Sequence, residues 1–222
     1  SGSGTGTGSV TVNSGGVLSG SGIIAPNVSS GVIIADGGQL NPGADPSGTT
    51  PNGFLTLTSA GGATTPVLTL ATPASSGGQA QLKFDLGTGT NGVTGFGSIV
   101  GGVTLAGSSA YIDLTNDAAG EVVFSADSDT PTLVELDPLT ALVEGNYLLF
   151  AGGADSDYAN LTTDANGLIT SGLSLVLPDN EPNSELFEED GNIYVHVVPE
   201  PGTWALLLLG LAMLGLGAYY RT

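Results

Sequence analysis

The sequence predicts an all-β fold: a β-solenoid of short stacked strands, followed by a C-terminal transmembrane helix. Three features carry the prediction. Apolar residues alternate with polar ones between Gly-rich turns, a motif repeats at a fixed offset near the N-terminus, and one uncharged apolar run lies at the C-terminus.

The alternation separates this chain from low-complexity sequence. Gly is abundant, at 37 of 222 residues, and only 10% of residues are charged. Disordered chains combine such composition with low hydrophobicity, whereas this one is 40% hydrophobic. Acids number 21 against two basic residues, Lys83 and Arg221, a balance that excludes nucleic acid as a partner. Asp36, Asp45 and Asp85 are the only acids in the first 110 residues, so the first half is near neutral and the second acidic. The absence of cysteine excludes disulfides and thiolate metal sites. The chain opens at Ser1 without an initiator Met, as expected of a chain whose leader has been removed or of a piece of a longer precursor.

The repeat sets the architecture. "SVTVNSGGVLSG" (9–20) aligns with "GVIIADGGQLNP" (31–42) at an offset of 22, matching Val10 with Val32, Val12 with Ile34, Gly15-Gly16 with Gly37-Gly38 and Leu18 with Leu40. "FLTLTSAGG", with Leu55 and Leu57 before Gly61-Gly62, reads as a looser third copy. Each unit is a short strand with two inward apolar residues, a Gly-Gly corner and one more inward Leu. One such unit cannot bury its apolar face alone, so units must stack. A β-sandwich with tight Gly-Gly hairpins is the competing architecture.

These residues resemble a known family. "GTGSVTVNSGGVLSGSGII" followed by "ADGGQLNPGADPSG" is similar to the autotransporter-associated β-strand repeat of bacterial surface proteins, over residues 5–60 and more loosely over 61–115. The resemblance implies a right-handed parallel β-helix and an exported life, and no catalytic activity. "EVVFS", "NYLLFAGG", "GLSLVLPD" and "NIYVHVV" continue as β runs. The expected division is residues 1–119 as solenoid repeats, 120–197 as further coils or a capping β-segment, and 198–222 as a tail.

Candidate chemistry is sparse. His196, the only histidine, sits on "IYVHVV", where alternation turns it away from the inward Val195 and Val197. A lone histidine supports no catalytic triad. "GSGTGTGS" precedes a β-repeat rather than linking a strand to a helix, so it is no phosphate loop. Asp127/Asp129 and Asp155/Asp157 have calcium-loop spacing, but Ala159 and Asn160 break the pattern after Asp155, and both read as surface loops. Glu189–Gly191 reads as a hairpin turn. Thr56 and Thr58 do not recur at the repeat period, which leaves an ice-binding ladder a minor alternative. Carboxylate pairs hydrolyse sugars in some β-helices, yet no two of the 18 later acids stand out. No catalytic residue, metal site or cofactor is expected, and the chain is expected not to be an enzyme.

The tail is the most specific segment. Trp204 to Tyr220 is 17 residues without a charge, about 26 Å as a helix, close to the thickness of a thin hydrocarbon layer. Leu207, Leu211 and Leu214 lie within it, Trp204 and Tyr219-Tyr220 flank it as interfacial aromatics, and Arg221 follows on the cytoplasmic side. A buried core helix is the alternative, but the segment is apolar on all faces. "VPEPGTWALLLLGLAMLGLGAYYRT" resembles the PEP-CTERM sorting signal, with Pro199-Glu200-Pro201 as the signature, Trp204 to Tyr220 as the membrane helix and Arg221 as the basic end. The family usually ends in several arginines, and this chain has one. The resemblance implies recognition by exosortase, a membrane processing protease, and anchoring in the bacterial inner membrane during export with the β-domain outside the cytoplasm. It also implies a mature protein at the cell surface or in the extracellular matrix, with exopolysaccharide as a candidate partner. Prolines on both sides of Glu200 keep that segment extended, as a protease requires.

Overall fold

The computed structural model describes residues 8–26, 31–43, 53–58, 66–70, 78–87, 99–115, 121–127, 129–138, 142–152, 157–176 and 183–198. They form strands and turns, with no helix among them. None of the described residues forms a helix able to cross a membrane, and the helix expected over 204–220 lies outside them.

The chain visits three sheets in turn. The first circuit is β1 (Val10–Val12), β2 (Val17–Gly20) and β3 (Gly22–Ile24), and the second is β4 (Val32–Ile34), β5 (Gln39–Pro42) and β6 (Phe54–Leu57). The third runs through β7 (Pro66–Leu70) and β8 (Gln81–Gly87). It then makes an excursion through β9 (Ile99–Val100), β10 (Val103–Thr104) and β11 (Ser108–Ser109) before β12 (Tyr111–Asp113). The fourth is β13 (Glu121–Val123), β14 (Thr132–Pro138) and β15 (Gly145–Ala151). The last holds β16 (Asp157–Ala159), the hairpin β17 (Thr162–Thr163)–β18 (Ile169–Ser171), and β19 (Leu173–Val176), followed by β20 (Glu185–Glu189) and β21 (Asn192–Val197).

The first sheet stacks β1-β4-β7-β13-β16 and the second β2-β5-β8-β14-β19, all parallel. The third stacks β3-β6-β12-β15 in parallel and then adds β21 and β20 antiparallel. Three parallel sheets visited in rotation are compatible with a β-solenoid. Strands beyond residue 120 continue the sheets begun before it.

Register makes columns of like residues through the interior. Leu18, Leu40, Leu82, Val134 and Leu175 pair in succession along the second sheet. Val10, Val32, Leu68, Val122 and Tyr158 do so along the first. Their side chains, with Leu55, Ile112 and Phe150 of the third sheet, belong to one continuous core. Aromatic edges fill the upper circuits: Phe150 meets Phe84, Phe124 and Tyr158 with ring centroids 5.8, 6.1 and 6.3 Å away.

The offset of 22 holds between β1 and β4 and between β2 and β5. Val10 pairs with Val32, Val12 with Ile34 and Leu18 with Leu40. The Gly-Gly corners stack between them, Gly15 N–H donating to Gly37 O at 2.8 Å. Gly15 and Gly37 have φ of 74° and 70°, at the third position of turns closed by Gly16 N–H to Asn13 O and Gly38 N–H to Ala35 O, as a type II turn requires. At Gly38 a Cβ would lie 2.7 Å from Val12 O, so stacked corners leave no room for a side chain.

The third copy falls elsewhere than the repeat suggests. "FLTL" is β6 in the third sheet, where Leu55 pairs with Gly22 and Ile112. The true successor of β4 is β7, "PVLTL", with Val32 opposite Leu68 and Ile34 opposite Leu70. Its corner is at Gly78, whose Cβ would sit 2.8 Å from Gly37 N. Loops lengthen the later circuits, so Leu40 to Leu82 spans 42 positions and the period is lost.

Candidate functional site

Two places claim attention: the root of the C-terminal tail, and the outer face of the third sheet beside it. Pro199, Glu200, Pro201, Trp204, Leu207, Leu211, Leu214, Tyr220 and Arg221 all lie outside the described residues. What the structure describes is the strand that delivers them.

β21 is an inner strand. β15 pairs with one side of it, from Gly145↔Val197 to Phe150↔Ile193, and β20 with the other, from Glu185↔His196 to Glu189↔Asn192. Ile193, Val195 and Val197 alternate into the core at 0% exposure. The β20–β21 hairpin turns at Asp190-Gly191, whose φ values of 51° and 74° fit a type I′ turn and its twist. This is the turn read at Glu189–Gly191. Gly191 N–H donates to Glu188 Oε1 at 2.8 Å, and Tyr158 Oη–H donates to Gly191 O at 2.7 Å. Burial, aided by the Glu188 charge, pushes the Tyr158 hydroxyl far up, so it stays a donor. After Val197 only Val198 is described before the tail, its N–H reaching Ser184 Oγ at 3.4 Å. Five residues separate Val198 from Trp204, a reach of at most about 20 Å over six Cα steps. The folded β-structure therefore stands close to whatever the apolar run enters.

The outer face of the third sheet is partly roofed. Val103 and Leu105 of the 99–109 excursion cover Tyr111, Leu148 and Tyr194, a second apolar cluster. Tyr194 Oη–H donates to Val100 O at 2.7 Å, and burial raises its pKa to about 12. Phe187 stacks on Tyr194 with centroids 5.1 Å apart. Lower down, Thr56 Oγ1 donates to Asp113 Oδ2 at 3.0 Å, and Asp113 Oδ1 accepts from Thr115 N–H at 3.0 Å. Thr56 is buried, so it presents no hydroxyl for a solvent-facing ladder.

Beyond the roof an open cleft of about 460 Å³ is lined by Asn146, Asp164, Asn166, Glu185, Phe187 and His196, among others. His196 faces outward as alternation requires, and its Nδ1 lies 2.7 Å from Asn146 Oδ1. The ion pairs among the described residues belong to Lys83, and no described carboxylate forms one with His196. Asp164 caps its own turn, accepting from Asn166 N–H at 2.8 Å and Leu168 N–H at 3.0 Å, and those bonds hold its carboxyl below the usual range. No group of three metal-ligating side chains occurs among the described residues. Asp127 Oδ1 accepts from Asp129 N–H at 2.9 Å, a local turn, and Asp155 lies outside the described residues. Asn146 and Phe187 were not legible as cleft residues, because only the β15–β21–β20 register brings them beside His196.

Fold and tail together define the class: an all-β, parallel-sheet domain whose last inner strand runs directly into a C-terminal sorting segment. Residues 197–221 match the PEP-CTERM protein-sorting motif. The motif points to export, membrane-associated sorting toward the cell surface and processing by exosortase, a membrane protein. No curated protein and no solved structure matches the chain.

Proposed function

We propose that the chain is an exported, non-enzymatic bacterial surface or matrix protein, structural or adhesive in role, carried by a temporary C-terminal address. The β-domain is a right-handed parallel β-helix held outside the cytoplasm. Trp204 to Tyr220 spans the inner membrane as a helix, Arg221 holds its cytoplasmic end, and exosortase acts at Pro199-Glu200-Pro201. Exopolysaccharide is the partner class at the surface. The observation that carries this reading is the join: the PEP-CTERM match begins at Val197, the buried last residue of an inner strand. β21 thus finds both of its pairing partners, β15 and β20, ahead of the signal.

The test replaces Pro199-Glu200-Pro201 with alanines in the exporting cell. The expected product is an unprocessed, membrane-held chain, seen by mass spectrometry of the C-terminus. Normal processing refutes the sorting role, and turnover of polysaccharide by the purified chain refutes the non-enzymatic one.

A further inference from the structure

The open cleft beside the roof is built by register. Asn146 of β15, His196 of β21 and Glu185 of β20 are Cα partners across three adjacent strands, so their side chains form one row on the outer face of the third sheet. Along β20, Leu186 turns into the core, and Glu185, Phe187 and Glu189 turn outward with that row. The β17–β18 turn supplies the wall, with Asp164 and Asn166. The same turn closes the edge of β20, since Glu188 N–H donates to Gly167 O at 2.8 Å and Leu168 bridges Phe187. An extended peptide cannot add to the sheet there, so a ligand of the cleft must be held by side chains.

The hydrogen bonds inside the cleft fix what it can offer. Asn146 Nδ2 donates to Thr104 O at 3.3 Å, so Oδ1 is the atom that faces His196 Nδ1 at 2.7 Å. An amide oxygen only accepts, so Nδ1 carries the proton and the neutral imidazole presents Nε2 as an acceptor. Asn166 Nδ2 is turned to Asp164 Oδ2, at 3.4 Å. Glu185, Glu189 and Asp164 add carboxylates, and none of the three has an ion-pair partner among the described residues. The cleft thus gathers acceptors and negative charge around one partly buried aromatic ring, Phe187. Its volume, about 460 Å³, lies within the range of small-molecule sites.

We propose that this cleft binds an amine-bearing sugar, a hexosamine unit with a free ammonium group, within a polysaccharide chain. The inference rests on the surface-polysaccharide role proposed above and names the class of polysaccharide. The ammonium supplies the donors and the positive charge that the carboxylates and Nε2 lack, as charge-assisted hydrogen bonds require. Ring hydroxyls donate to the remaining acceptors, and the apolar face of the sugar lies on Phe187. A polymer of uronic acids is repelled by the same three carboxylates. An N-acetylated sugar carries no charge and forgoes the ion pairs.

The test titrates the chain, purified in detergent, with a tetramer of glucosamine and with its N-acetylated counterpart, followed by calorimetry. The glucosamine tetramer is expected to bind at least about tenfold more tightly. Glu185→Gln with Glu189→Gln keeps the shape of two exposed side chains and removes their charges, and should weaken that binding about tenfold. Asp129→Asn with Asp157→Asn removes the same charge at exposed positions away from the cleft, and should change it less than about twofold. Far-UV circular dichroism checks that each variant is folded. Absence of binding by the glucosamine tetramer overturns the proposal. So do equal affinities for the two tetramers, equal losses from the two variant pairs, or equally tight binding of tetralysine, each of which leaves only the attraction of an acidic body for any cation. The role proposed above fails separately, by normal processing of the alanine variant or by polysaccharide turnover, neither of which this titration reads.

Discussion

The column Leu18–Leu40–Leu82–Val134–Leu175 gives the sharpest test of the stack, because one substitution can be made at its middle and at both ends. Leu82 is at 0% exposure, with Leu40 below, Val134 above and the aromatic core beside it. Leu82→Ala removes three buried carbons and leaves a cavity that stacked neighbours on both sides cannot close. The expected cost is about 3–4 kcal/mol, within the range for rigid core sites. Leu18 and Leu175 are only half-buried and have a column neighbour on one side. Less transfer energy is lost there and the cavity is open to solvent, so Leu18→Ala and Leu175→Ala should each cost roughly 1–1.5 kcal/mol. Guanidinium unfolding followed by far-UV circular dichroism reads all three. A cost at Leu82 below about 1 kcal/mol, or equal costs at middle and ends, would refute the column.

Two other sites make narrower predictions. Lys83 Nζ lies 3.3 Å from Glu135 Oε1 and 3.0 Å from Asp137 Oδ2, and the Asp137 hydrogen bond leads in raising its pKa above 10.5, against the opposing effect of burial. The contribution is therefore complete below about pH 10.5 and is lost as pH rises through the folded value. Because all three side chains are a quarter or more exposed, Lys83→Met should cost no more than about 1 kcal/mol at neutral pH, and the difference from the parent chain should vanish in strong alkali. Tyr158→Phe removes the 2.7 Å bond to Gly191 O while keeping the ring packed on Phe124 and Phe150. It should cost about 1–2 kcal/mol and loosen the β20–β21 turn, seen as faster amide exchange at Gly191.

How far the sequence foretold this structure depended on whether a pattern was local. The first two strands of the first two circuits were legible residue for residue, because a common offset of 22 and stacked Gly corners forced the same residues into the same places. "FLTL" and "VLTL" are indistinguishable as strands, and alternation states which face is inward but not which sheet is joined. Register between distant strands decided that, and long connections erased the period that would have revealed it. The hairpin at Glu189–Gly191 and the outward His196 were legible for the opposite reason, since turn chemistry and alternation act within a few residues. The Asn146–His196 pair is 50 positions apart and left no trace in either segment.

The placement of β21 explains how a removable tail can be joined so closely to a domain. Were the tail to leave from an edge strand, a protease pulling that segment into an extended form would need to peel only one ladder. β21 is held by two ladders and by three side chains in the core, and the antiparallel turn at Asp190-Gly191 puts the more expendable, acidic β20 outside it. Strain on residues after Val198 meets a strand paired on both sides, not an edge. The same arrangement sets polarity: acidic β20 lies at the end of the third sheet from which the tail leaves, and the uncharged β3 lies at the other.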